Sequence, residues 1–228
     1  VTIETGPDSS LDLTIDGAKG PFLQVSGTLD FDIFGFFTLS GNFALSKSNG
    51  TVTLSNGNTI DVDRLTGGGS DVNAFAGING GTANELGFSL TGLEVALALQ
   101  SNLNDPSKKY VSLEAEASSA EFVGIPAIEV GVENIVVEIN QGDVDGVVVD
   151  YAATDLEVST GTDSSRTLSM AGSNGELLRV NADMKLNIFG FFTVEGGFGL
   201  EKRETEIVLS DGEVMTADLL SLGAGGVD

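Results

Sequence analysis

The hexapeptide Ile-Phe-Gly-Phe-Phe-Thr stands at Ile33–Thr38 and again at Ile188–Thr193, an offset of 155 residues (188 less 33). The register extends without a gap in both directions. "TGPDSS" from Thr5 meets "TGTDSS" from Thr160, "GPFLQV" meets "GELLRV", "LSNG" meets "LSDG", and Val72 meets Val227. Between Val1/Leu156 and Asn73/Asp228, 27 of 73 aligned positions are identical. A fixed period of this kind marks a repeat architecture, in which each unit buries its apolar face against its neighbours. Residues 1–73 then form the second part of one unit, and 74–228 form one full period whose last 73 residues repeat the first 73. This predicts either a segment of a longer tandem array or one domain that straddles the period boundary, with a unit boundary near the glycine-rich stretch Leu65–Gly81, read as a loop or linker.

The apolar positions follow a strand period. Leu23, Val25, Leu29, Phe31 and Ile33 alternate with polar or small residues, and the alternation resumes at Phe37, Leu39, Phe43 and Leu45. Gly35 therefore reads as a bend or bulge in one kinked strand, with the flanking phenylalanines packed in a core on both sides, the alternative being an exposed aromatic platform for a ligand. Asn49-Gly50 and Asn56-Gly57 are turn dipeptides, of which only the second has a counterpart, Asp211-Gly212. Further strands are expected over Gly87–Gln100, Tyr110–Gly124, Ala127–Asn140 and Val147–Ser159. Several break phase midway, as where Val132 is followed by Ile135, the mark of bulged strands in a twisted antiparallel sheet. The fold predicted is all-β: an elongated repeat module of long, bulged antiparallel strands, arranged as a sandwich or an open, solenoid-like stacked sheet.

Charge and residue absences narrow the chemistry. With 34 acidic against 10 basic residues the net charge is −24, a field that repels nucleic acid and anionic headgroups. The chain has no Cys and no His, which removes the Ser-His-Asp and Cys-His nucleophile systems and the usual zinc and iron ligand sets. No segment resembles a signal peptide, and no run approaches the ~20 apolar residues of a membrane-spanning helix. The expectation is a protein that is not an enzyme, binds no nucleic acid and does not span a membrane.

The candidate cation ligands are acidic. Asp143, Asp145 and Asp150 cluster in "NQGDVDGVVVD", where an EF-hand is excluded because Gln141 and Ala152 fall at ligand positions. A simpler calcium site in a strand-joining loop and a solvated turn both fit these three. Asp8 and Asp163 occupy matching turns and can either bond nearby backbone N–H groups or hold calcium in each copy. Asp30 and Asp32 share a strand face as a glycosidase pair would, but the second copy has Lys185 and Asn187 there.

"GELLRVNADMKLNIFGFFTVEGGFGLEK", "IVLSDG", "VNAFAGINGG" leading into "GFSLTGLEVALAL", and "VVDYAATDLEVSTG" together resemble the tandem repeats of very large secreted or cell-surface proteins of aquatic bacteria. The resemblance implies an extracellular, adhesin-like or scaffolding role, commonly calcium-dependent, and carries over no catalytic residue. Its partners would be neighbouring repeat units of the same chain and another cell surface or matrix component. The leading expectation is thus a structural or adhesive spacer from a giant extracellular protein, with calcium as the only cofactor in view. The alternative, suggested by long strands with apolar faces and 13 Phe, is a β-sheet groove that binds or conducts lipid or another apolar ligand.

Overall fold

The computed structural model describes residues 1–12, 21–142 and 146–228. The strands are β1 (Thr2–Gly6), β2 (Ser9–Asp12), β3 (Phe22–Ile33), β4 (Phe37–Thr53), β5 (Thr59–Ile78), β6 (Leu86–Asn102), β7 (Lys109–Val123), β8 (Ile128–Gln141), β9 (Leu156–Ser159), β10 (Ser165–Leu168), β11 (Leu177–Ile188), β12 (Phe192–Val208) and β13 (Val214–Gly225). Nine of them form one antiparallel sheet in the order β13-β12-β11-β8-β7-β6-β5-β4-β3, and the sheet does not close. Each hairpin pairs with the next, so the sheet is a meander interrupted once, between β8 and β11. There the chain leaves the plane to make the β9–β10 hairpin, then returns to pair β11 with β8. The hairpin β1–β2 stands at the corresponding place ahead of β3. The fold is all-β as expected, in its open-sheet form.

The core lies where the crossing segment covers one face of the sheet. Val52, Leu54, Val62, Ala96, Ala98 and Tyr110 on the sheet pack against Val149, Tyr151, Val158, Leu168 and Met170. Each fully buried aliphatic side chain here removes apolar area worth about 1.5–3 kcal/mol from water. The hairpin sits close because the row beneath it is small: Ala44, Gly68 and Ala96 stand directly opposite one another on β4, β5 and β6. At Gly68 an added Cβ would lie 2.2 Å from the carbonyl oxygen of Ser159.

Bulges account for the broken phases. Register shifts fall between Ser40 and Asn42, between Gly69 and Ala74, and between Asn181 and Asp183. Asp71, Gly92 and Asn134 there take positive φ values of 51°, 61° and 51°. Each extra residue absorbs the phase change, so the apolar residues before and after it stay on one face.

Four expectations are corrected. The Ile-Phe-Gly-Phe-Phe motif is not a kinked strand in a core but the hairpin turn joining β3 to β4, and its copy joins β11 to β12. Phe34 and Gly35 have φ of 49° and 68°, the primed geometry that matches strand twist, and Phe36 N donates to Ile33 O at 2.8 Å. The rings therefore pass the end of the sheet: Phe34 is 93% exposed and Phe191 95%. The glycine-rich stretch is no linker; it runs mostly within β5, the longest strand, so the boundary between 73 and 74 falls inside that strand. Asn49-Gly50 continues β4, since both residues keep their pairing with Asp63 and Val62, whereas Asn56-Gly57 makes the turn. Of Val147–Ser159 only Leu156–Ser159 is a strand, because the chain there is crossing over the sheet.

Candidate functional site

Register decides which residues share a face, because directly opposed residues on neighbouring strands point the same way. One line of opposed residues crosses all nine strands: Val25, Leu45, Gly67, Leu97, Leu113, Ile139, Leu178, Lys202 and Leu220. The adjacent line is wholly apolar or glycine, from Gly27 and Phe43 through Val95, Val137 and Val180 to Leu200 and Leu222. Eight strand spacings make this face about 38 Å wide. Among the described residues no hairpin packs over it: β9–β10 lies on the other side, and β1–β2 makes no substantial contact with the sheet. Leu45 is 49% exposed and Leu222 77%. Between Val25, Phe43, Leu45, Val95, Leu97 and Leu113 the missing side chain of Gly67 leaves an apolar depression of about 570 Å³.

The opposite face carries the apolar core and, beside it, buried polar residues that hold the crossing segment with hydrogen bonds. Gln100 Nε2 donates to Tyr151 Oη at 2.8 Å, Asn140 Nδ2 donates to Val149 O at 2.8 Å, and Ser169 N donates to Glu114 at 2.7 Å. Burial pushes the Tyr151 phenol up to about 12, so it stays protonated and acts as a fixed polar pin. At the rim Arg166 of β10 meets Glu116 of β7 at 2.7 Å, and this hydrogen bond, more than the charge attraction that adds to it, lowers the Glu116 pKa. A carboxylate depressed in this way adds stability above its unfolded pKa and loses it as pH falls through the lower, folded value. Acid titration below the ordinary glutamate range is therefore expected to loosen β9–β10 first, by a few tenths of a kcal/mol for this exposed pair. Hydrogen exchange at β10 checks this, and Glu116→Gln should remove that pH dependence.

Counted from residue 1, the first period (1–155) holds β8 and the second opens at 156, ahead of β11, so the two periods join by pairing β8 with β11. Their pairing runs from Leu177 opposite Asn140 to Ile188 opposite Ile128. Arg179 ties the seam, reaching Glu138 on β8 and Glu201 on β12 at 2.8 Å each, and Lys185 meets Glu129 at 3.3 Å.

Matched positions in the two copies do matched work. Lys47–Asp63 at 3.2 Å repeats as Lys202–Asp218 at 3.8 Å. Asp32, one of the Asp30–Asp32 pair set aside above, and its counterpart Asn187 each accept from the glycine N–H of the aromatic turn, at 2.8 and 3.0 Å. The signal was present in sequence, since Asp and Asn are interchangeable as acceptors in such turns. In "TGPDSS" and "TGTDSS" the Thr hydroxyl meets the first Ser at 3.0 Å in both copies.

The predicted cation ligands are distributed as follows. Asp143 and Asp145 lie outside the described residues. Asp150 accepts from Gly172 N at 2.8 Å and Ala152 N at 3.2 Å, bracing the crossing segment. Asp8 and Asp163 are exposed in the hairpin turns of β1–β2 and β9–β10. Among the described residues no three His, Cys, Asp or Glu side chains gather as a metal site. No helix among them is long and apolar enough to cross a membrane. Comparison of this chain with protein-family models, curated proteins and solved structures yields no match.

Proposed function

We propose that this chain is a structural module of an extracellular or cell-surface tandem-repeat protein, in which successive copies fuse into one continuous antiparallel sheet. The observation that supports it is the pairing of β8 with β11, which joins one copy to the next by a full strand ladder. Because the link is made of backbone hydrogen bonds, it does not need any metal, and it makes each added copy extend the same sheet. The net charge of −24 keeps such an array soluble and resists collapse of one unit onto another.

Small-angle scattering on chains with one and two additional periods tests this. A period contributes six strands to the sheet, β3 to β8, and should lengthen the particle by up to about 29 Å. A particle that grows in all dimensions equally would end the reading.

A second reading is supported by the uncovered apolar face: the sheet also takes up apolar chains such as the acyl chains of lipids. The two opposed lines offer a ligand almost only methyl, methylene and aryl groups, which suits hydrocarbon and disfavours polar ligands. The depression over Gly67 is within the ~300–1,000 Å³ range of small-molecule sites.

A further inference from the structure

We infer that β1–β2 and the outer edge of β3 together form a docking surface for another repeat copy, in the geometry already built at β9–β10 and β11. The inference rests on the array reading above and names the partner and register of its joint.

Burial follows the hairpin in both directions. In β9–β10, Val158 is 1% exposed and Leu168 fully buried, because the hairpin fills a socket on β4 to β7. The copy of Val158 is Ile3, in a hairpin with the same Thr-to-Ser contact at 3.0 Å, yet Ile3 is 44% exposed. Conversely, Val52 and Leu54 are each 5% exposed in the cluster closed by the crossing segment and β9–β10, with Leu54 bridged to Val149, whereas their copies Ile207 and Leu209, which lack such a cover among the described residues, are each 38% exposed. The same sequence pattern is thus seen once with its complement and once without. The edge of β3 tells the same story. Among the described residues β3 pairs with β4 alone, while its copy β11 carries β8 on that side.

The internal joint supplies the register. Carrying each β11 residue back by one period sets Ile33 opposite an Ile128-type residue, Val25 opposite a Val137-type residue and Leu23 opposite an Ile139-type residue. The apolar face then continues unbroken into the partner. The charges differ: Lys185, which meets Glu129, is replaced in β3 by Asp30. The fitting partner is therefore a β8-type strand with a basic or neutral residue at the Glu129 position, beside an empty socket of the β4–β7 type.

The test places residues 1–155 directly ahead of the full chain and follows hydrogen exchange. Leu29→Met, the residue β11 carries as Met184, marks the downstream β3 peptides in both the extended and the single chain. In the extended protein the marked β3 amides should exchange at least tenfold more slowly than in the single chain, approaching β11 of the same molecule. Ile3→Asp in the downstream copy should abolish that gain and leave melting of the single chain unchanged, and Glu129→Lys in the upstream copy should increase it. Equal exchange of β3 in both proteins, with β11 still protected, overturns the inference even if scattering shows an elongated array. Protection of β3 without elongation supports the joint and counts against the array.

Discussion

Gly68→Val is expected to unseat the β9–β10 hairpin, while Gly223→Val, the same change in the other copy, is expected to be silent. A Cβ at Gly68 would lie 2.2 Å from Ser159 O and 3.0 Å from Thr160 Cα, both backbone atoms that cannot swing aside as a side chain would. At Gly223 nothing lies within 4 Å of the added atom. Overpacking of this kind costs about 1–3 kcal/mol, and lifting the hairpin also exposes part of the cluster around Val158 and Leu168. A loss of about 3 kcal/mol would lower the melting temperature by roughly 6–12 °C at this chain length, against a change within about 0.5 kcal/mol for Gly223→Val. Paired thermal melts decide it. Equal effects at the two positions would mean that the hairpin does not rest on Gly68.

The second large effect concerns the apolar face. Gly67→Leu should leave folding intact and remove apolar ligand, because the second copy already carries leucine at this position, Leu222. The nearest atom to an added Cβ is Leu45 Cδ1 at 3.9 Å, ordinary contact, so the new side chain has room to fill the depression of about 570 Å³. Native mass spectrometry of gently purified protein should find co-purifying lipid on the parent chain and at least a tenfold drop in occupancy on Gly67→Leu. Lipid retained at equal occupancy would place it elsewhere, and a parent chain free of lipid would leave the face to the structural role alone.

Much of the sheet was legible because a strand with one apolar face writes its period of two directly into the chain. Even the phase break at Val132 and Ile135 was readable as a bulge, since only an extra residue lets both stay on one face. The aromatic turn was misread for a related reason. Two strands with apolar residues beside a glycine look alike whether the chain bends through the sheet or reverses, and only pairing of Ile33 with Phe37 distinguishes them. Glycines 67 to 69 were misread because glycine usually signals a loop. Here Gly68 makes room for a backbone, Gly67 leaves space on the opposite face, and at Gly69 the side chains of Val72, Phe43 and Val95 already close in. The crossing of 146–176 was hidden because its burial comes from residues far away in sequence, such as Gln100 holding Tyr151.

The sequence by itself determined that the chain is all-β, that its long strands are bulged, and that the pattern of its first 73 residues recurs 155 residues later. These are local or periodic properties, set by side-chain alternation and self-similarity. Tertiary structure alone decided that β8 and β11 join both copies in one sheet and, among the described residues, that one hairpin copy is buried and the other exposed and that an apolar face stays uncovered. The physical reason is that backbone pairing and burial depend on which distant segment arrives at an edge or a face. Two identical stretches of chain can therefore end in opposite environments.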